Sequence, residues 1–300
     1  MSDFPLIPFE IPVSQEACRL FHGRGHAVTG LEHLNIDWYS PLVLITLYAP
    51  EKQARLQNLA QSLFSALAEK GCSCVVAQYR HEPMAPMEAL IGELPETLTV
   101  EEHGLKYGLN FGRFQNIGLF PDMANGRKWV KEHASGKRVL NLFSYTCGFS
   151  VAAIAGGANK VVNFDMSKRA LSIGRDNHRL NNHDLSGVVF EGLDIFRSFG
   201  RVKKHGPYDL VISDPPTFQK GSVDIRKDYP RLARRLREYL APQAELLLCL
   251  NAPELGADFL MEVVEQECPD WKFIERIANP AVFVEATDIS GLKVLRYQAP

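Results

Sequence analysis

Arg138-Val-Leu-Asn-Leu-Phe-Ser-Tyr-Thr-Cys-Gly-Phe149 is an apolar run that enters a tight turn of small residues and then the start of a helix. Tyr208-Asp-Leu-Val-Ile-Ser-Asp-Pro-Pro-Thr-Phe218 is a second such run, and it ends on an acid followed by two prolines. Both read as buried strands with loops at their C-terminal ends, which is where open α/β sheets hold their ligands.

Working outward, apolar runs at 138–143, 161–165, 188–190, 208–213 and 245–250 alternate with helical patterns near 148–157, 167–180, 194–202, 226–240 and 254–267. Trp271–Ile274 and Leu292–Tyr297 supply two further strands. Nearly continuous apolar strands separated by helices predict an α/β fold with a mostly parallel seven-stranded sheet covered by helices on both faces. Upstream, Pro41–Tyr48 and Cys74–Tyr79 read as strands around a helix over 50–69 that carries Leu56, Leu59, Leu63 and Leu67 at helical spacing. This predicts a small N-terminal α/β domain. Phe21-His-Gly-Arg-Gly-His26 reads as a flexible cationic insertion, 80–95 as a proline-bearing loop, and Leu98–Asn110 against Asn116–Phe120 as a hairpin. The expected division is 1–96 for substrate recognition, 97–136 for the hairpin and connecting segment, and 137–300 for the ligand-binding sheet.

Composition sets bounds. Three hundred residues with 46% hydrophobic content can bury a substantial core, while 33 basic against 35 acidic side chains give no overall attraction to nucleic acid. An RNA partner therefore needs a local basic surface. The six cysteines are scattered, and Cys72-Ser-Cys74 is one residue tighter than a zinc pair, so no metal site is expected. No basic start leads into a long apolar region and no run approaches a membrane span, which points to a cytoplasmic protein. Oligomeric state is left open.

The turn after the first strand has one glycine, Gly148, and lacks the three-glycine turn that a pyrophosphate requires. S-adenosylmethionine carries no phosphate, and its amino-acid end suits small residues and exposed backbone groups. Asp165 ends the strand Val161–Asp165, about twenty residues past the first turn, the position from which an acid accepts both ribose hydroxyls. Ser167 supplies a helix cap. Asp194 and Ile195 follow the third strand, where the acid either accepts from an adenine amine with the isoleucine packed on the ring, or only caps the next helix.

With these residues in place, the C-terminal part resembles class I S-adenosylmethionine-dependent methyltransferases, and most closely the family of bacterial 23S ribosomal RNA base methyltransferases. The likeness spans about 97–300 and rests on 141–149, Phe-Asp-Met-Ser at 164–167, Arg175-Asp-Asn-His-Arg-Leu-Asn181 and Asp-Pro-Pro-Thr-Phe at 214–218. It implies a class I methyltransferase-like fold. It also implies a methyl donor held by Asn141, Phe143, Ser144, Tyr145, Thr146, Gly148, Asp165, Met166, Ser167, Asp194, Ile195 and Asp214.

The target base is expected beside Asp214, Pro215, Pro216, Phe218 and Asn251. Two prolines lack amide hydrogens and leave neighbouring carbonyls available, and Phe218 is placed to stack on an extruded base. Carbon 5 of cytosine becomes nucleophilic only after a thiol adds to carbon 6, whereas a guanine ring nitrogen needs alignment and desolvation. By strand alternation Cys249 and Asn251 share a face, and Asn251 sits at the exit. In the cytosine-modifying relatives the nucleophilic cysteine corresponds to Asn251, which favours a guanine-N7-like target. Arg231, Arg234 and Arg235, with Lys220 and Arg226 before them, either contact phosphates or form the solvated face of an amphipathic helix, and His22, Arg24 and His26 are a second candidate phosphate-facing patch. The rival readings are a cytosine-C5 RNA enzyme, a small-molecule or protein methyltransferase, and a non-catalytic RNA- or cofactor-binding protein.

Overall fold

Runs of six buried residues organise the first sheet: β2 (Leu34–Tyr39) and β3 (Leu42–Leu47) are buried along their whole length. With β1 (Cys18–His22), β4 (Cys74–Tyr79) and β5 (Met87–Ile91) they form a sheet in the order β1-β2-β3-β4-β5. Only β3 and β4 run parallel, joined through α1 (Gln53–Ala66). Leu56, Leu59, Ala60 and Leu63 of α1 pack with Ile36, Trp38, Val43, Ile45 and Val75 in one core. The computed structural model describes residue 9, 11–112, 115–216, the backbone of 218 and 219, and 223–300. The chain forms two compact units, residues 1–122 with 281–286, and 123–280 with 287–300.

Three expectations for the first unit are corrected. Phe21–His26 is no flexible insertion: it ends β1 and continues into a one-turn helix, Gly23–Gly25, with both glycines buried. A Cβ on Gly23 would collide with the Leu31 carbonyl, and one on Gly25 with that of Val284, so close backbone approach demands glycine at both. The 80–95 segment contains β5, bonded antiparallel to β4. The hairpin closes earlier than expected, between β6 (Thr97–Glu102) and β7 (Leu105–Asn110). His103 and Gly104 adopt φ of 51° and 72°, the left-handed pair that a tight two-residue hairpin turn needs.

The second unit opens with α2 (Ala124–His133), a helix with no strong apolar repeat in its sequence. There follow β8 (Arg138–Leu142), α3 (Gly148–Ala155), β9 (Lys160–Phe164), α4 (Lys168–Leu180), β10 (Val188–Glu191), α5 (Phe199–His205) and β11 (Tyr208–Ser213). The chain ends with the short pair β12 (Phe218–Gln219) and β13 (Val223–Asp224), then α6 (Ile225–Leu236), β14 (Leu240–Leu250), α7 (Ala257–Glu267), β15 (Lys272–Ile277) and β16 (Lys293–Gln298). The large sheet has the order β10-β9-β8-β11-β14-β16-β15. Its first five strands are parallel, and β16 runs antiparallel to β14 and β15.

Alternation along the strands divides the core in two. Leu140, Leu142, Val211, Leu246 and Leu248 face Phe199, Leu232, Leu236 and Leu260. Val139, Leu210, Ile212, Leu247 and Cys249 face Trp129, Val130, Phe149 and Ala153. Burial on both faces explains why the central strands read as unbroken apolar runs, whereas the edge strand β15 is largely exposed. Strand order reverses between β8 and β11, and it is beyond the C-terminal strand ends at such a reversal that open α/β sheets hold their ligands. Among the described residues no helix is long and apolar enough to cross a membrane, and no group of three or more metal-ligating side chains gathers.

Candidate cofactor and substrate site

Register places the site. Leu142 of β8 pairs with Phe164 of β9 and with Ser213 of β11, and Ser213 pairs with Leu248 of β14. Phe143, Asp165 and Asp214 therefore leave three adjacent strands at one level. In the loop after β8, Phe143, Tyr145 and Cys147 adopt φ of 55°, 46° and 61°, alternating with right-handed or extended neighbours. The Ser144 amide donates to the Phe164 carbonyl at 3.0 Å and the Cys147 amide to the Ser144 carbonyl at 2.7 Å, which fixes this winding path. The Tyr145 amide donates to Asp165 Oδ2 at 2.8 Å and the Ser167 amide to Oδ1 at 2.7 Å. Burial raises the Asp165 pKa, while these two amides pull it back down.

Beneath the loop lies a buried polar chain. Asn141 Nδ2 donates to Asn163 Oδ1 at 2.9 Å, Asn163 Nδ2 donates to Ser150 Oγ at 3.0 Å, and Ser150 Oγ lies 2.9 Å from His178 Nε2. The Asn141 side chain is thus spent inside the sheet, where it ties β8 to β9. From α4, Asn177 Nδ2 donates to the Thr146 carbonyl at 2.9 Å, and a Cβ on Gly174 would strike the Cys147 sulfur. The motif at 175–181 therefore holds the loop from below. Ser144 and Thr146 are buried, while Phe143, Tyr145 and Gly148 are partly exposed.

Met166, 47% exposed, stands beside Asp165 at the β9 exit, and Ser167 caps α4 by accepting from the Ala170 amide at 3.1 Å. Asp194 caps the turn Ile195–Arg197 by accepting from the Phe196 amide at 2.9 Å, and its other oxygen lies 3.4 Å from Arg197 Nε. Ile195 packs in the core beneath.

Just past the end of β11, Asp214 is half-buried, Pro215 buried and Pro216 exposed. Thr217 and Lys220, and the Phe218 side chain expected to stack on a base, lie outside the described residues. Tyr229 of α6 was not singled out from the sequence. Its buried hydroxyl lies 3.4 Å from the Ser213 carbonyl and 3.2 Å from that of Cys249, so it joins the ends of β11 and β14. Asn251 is exposed just past β14, whereas Cys249 is 0% exposed within the core. A second unforeseen residue, Lys293, is fully buried opposite Leu250, and its ammonium donates to the Ala252 carbonyl at 3.0 Å and the Ser290 carbonyl at 3.1 Å. It braces the segment that carries Asn251. Neither residue has a local sequence signal, because each acts on carbonyls brought near by the fold.

Three candidate phosphate-binding arginines of α6 are engaged, while Arg226 is exposed at its first turn. Arg234 forks onto Glu267 with both bonds at 2.7 Å, Arg235 reaches Glu238 at 2.7 Å, and Arg231 donates to the Phe196 carbonyl at 3.1 Å. Just beyond the helix, Arg237 reaches Asp270 at 2.9 Å. His22 is likewise held, 2.7 Å from an Arg19 nitrogen and 3.1 Å from Glu285.

A strand-order reversal with a tight loop after β8 and an acid at the next strand end is the arrangement in which open α/β proteins hold nucleotide-like ligands. The family model for S-adenosylmethionine-dependent methyltransferases matches residues 18–298, and the chain belongs to that family. Ribosomal RNA large subunit methyltransferase K/L of Hahella chejuensis is 34% identical over 233 residues, covering 72% of this chain and 31% of the relative. Ribosomal RNA large subunit methyltransferase I of Aeromonas salmonicida is 32% identical over 231 residues, 73% of this chain and 57% of the relative. The chain thus spans only about a third to somewhat over half of the length of these two relatives. The crystal structure of a methyltransferase complexed with SAH superposes with a TM-score of 0.83 at 26% identity, covering 95% of this chain and 76% of that one.

S-adenosylmethionine is the cofactor of the family, and the residues present fit it. Each Asp165 oxygen accepts one backbone amide and retains acceptor capacity, so the carboxylate can also receive two neighbouring ribose hydroxyls.

Proposed function

We propose that this chain transfers a methyl group to a base of large-subunit ribosomal RNA, at a ring nitrogen of the guanine-N7 kind, and that it acts in the cytoplasm. The 143–148 loop is assigned to the amino-acid end of the cofactor, Asp165 to its ribose, and Met166, Asp194 and Ile195 to the neighbourhood of its adenine. When bound, the cofactor supplies an electrophilic methyl group. Asp214, Pro215 and Pro216 present carbonyls and a stiff wall to the base, Phe218 stacks on it, and Asn251 holds its edge through its amide. The N-terminal unit is assigned to substrate recognition.

The observation that carries the choice of atom is the burial of every thiol in the catalytic unit. Cys147, Cys249 and Cys268 are each 0% exposed, and burial raises the Cys147 and Cys268 thiols to about 12. Addition to carbon 6 of a pyrimidine needs an accessible thiolate, and none stands at the strand exits. A ring nitrogen with its own lone pair needs no such partner; N7 has no proton to lose, and the work left to the protein is alignment and exclusion of water. The RNA assignment is supported by the names of the relatives.

The test is incubation with labelled methyl donor and unmethylated large-subunit ribosomal RNA, followed by mapping of the modified nucleotide. Label on a purine ring nitrogen, lost in Asn251→Ala with cofactor affinity retained, is the expected result. Label on pyrimidine carbon 5, or on protein or small molecules alone, refutes the reading.

A further inference from the structure

The N-terminal unit carries a charged cluster that methyl transfer does not use. Leu47 and Tyr79 close the parallel register of β3 and β4, so Tyr48 and Arg80, each the next residue, emerge side by side. Arg24 lies in the one-turn helix after β1. Its guanidinium carbon is 4.5 Å from the centre of the Tyr48 ring, and that of Arg80 is 5.8 Å from the same centre. Arg80 is held in place by the Gln115 carbonyl at 3.2 Å and Asn116 Oδ1 at 3.0 Å, both neutral acceptors.

Among the described residues, neither guanidinium meets a carboxylate. Of the acids nearby in sequence, Glu51 lies 3.2 Å from His33 and 3.4 Å from Arg55, and Glu82 lies 3.7 Å from His81. This sets the pair apart from the arginines of 234–237, each matched to an acid, and from Arg19, which lies 2.5 Å from Asp37. Two cations over one ring repel each other, and the ring quadrupole offsets only part of that cost. An anion with several acceptor oxygens removes it, and guanidinium groups match a phosphate in a forked geometry.

We propose that Arg24, Tyr48 and Arg80 form a phosphodiester-contact site through which the N-terminal unit holds the RNA substrate, an inference that rests on the RNA reading above. The guanidiniums take phosphate oxygens, and the tyrosine packs against the adjoining sugar or base.

The test uses the full chain and an unmethylated large-subunit ribosomal RNA fragment. RNA affinity is measured across a salt series for the wild type, Arg24→Gln, Arg80→Gln, the double variant and Arg80→Lys. Cofactor affinity and unfolding midpoint are read in parallel. In the double variant RNA affinity should fall about tenfold or more, and the salt slope by roughly 1.4, which is two contacts at about 0.7 each for a single strand. Cofactor affinity and midpoint should stay unchanged, and Arg80→Lys should recover part of the slope. An unchanged slope and RNA affinity in a double variant of an RNA-methylating enzyme overturns this site alone. A wild type that binds cofactor but neither binds nor methylates RNA overturns the functional reading and the site with it. Inorganic phosphate is the separate arm: low-millimolar binding abolished in the double variant, with RNA affinity intact, assigns the cluster to free anions and overturns the proposal.

Discussion

Mild acid should destabilise the catalytic unit through His178. The ring is fully buried, with Nε2 2.9 Å from Ser150 Oγ and Nδ1 3.0 Å from His183 Nδ1. One placement of hydrogens satisfies the whole chain: Asn141 donates to Asn163, Asn163 to Ser150, Ser150 to His178 Nε2, and His178 Nδ1 to His183. A second proton on His178 would have to sit on Nε2, where the serine hydroxyl already points. Burial first, and then the neighbouring His183, lowers the His178 pKa from 6.5 to about 3.

Unfolding returns the ring to its ordinary range, so below pH 6.5 the unfolded chain binds a proton that the folded one refuses. Stability is therefore lost as pH falls from 6.5, and the loss stops growing only near the folded value of about 3. At about pH 5 this one group costs roughly 2 kcal/mol, taking about 1.4 kcal/mol per pH unit. His178→Gln is less stable at neutral pH, because the polar chain loses a partner, but it has no imidazole to titrate. Urea unfolding followed by circular dichroism at about pH 7 and about pH 5 yields four free energies. The wild type should lose about 2 kcal/mol more than the variant between the two conditions. Equal losses would show that His178 is not held neutral by burial.

Other substitutions probe the remaining placements. Asp165→Ala removes the carboxylate proposed to accept the two ribose hydroxyls and releases two backbone amides, so cofactor affinity should fall about 100-fold, an amount equal to roughly 3 kcal/mol; calorimetric titration with unchanged affinity would remove Asp165 from the site. Cys249→Ser should keep most of its activity while losing about 1–3 kcal/mol of stability to a hydroxyl in an apolar core. A trapped protein–RNA adduct in the wild type that vanishes in this variant would contradict the ring-nitrogen reading. Lys293→Met leaves the Ala252 and Ser290 carbonyls without their shared donor and should lower methyl transfer about tenfold or more with cofactor affinity retained, in line with a cost of a few kcal/mol per unsatisfied group. Full activity would show that Asn251 needs no brace from β16.

The strands of the catalytic sheet were legible because a strand buried on both faces must be apolar throughout, and that demand is written in consecutive residues. The same local logic exposed the Ser167 cap and the acid at the end of β9, since a cap and a strand end need no knowledge of the rest of the chain. Glycines at 23 and 25 misled for the opposite reason: they are required by carbonyls at 31 and 284, which only the folded chain brings to them. The turn at His103 was hidden because a non-glycine residue occupies its left-handed position. Charge was the least legible quantity. Arg234 finds Glu267 across 33 residues of sequence, while Arg24 and Arg80 converge on Tyr48 and meet no carboxylate among the described residues. The sequence determined which residues are cationic and where the sheet runs. Only the tertiary structure decided which cations are already neutralised, because a charge is satisfied through space and its partner has no fixed separation along the chain.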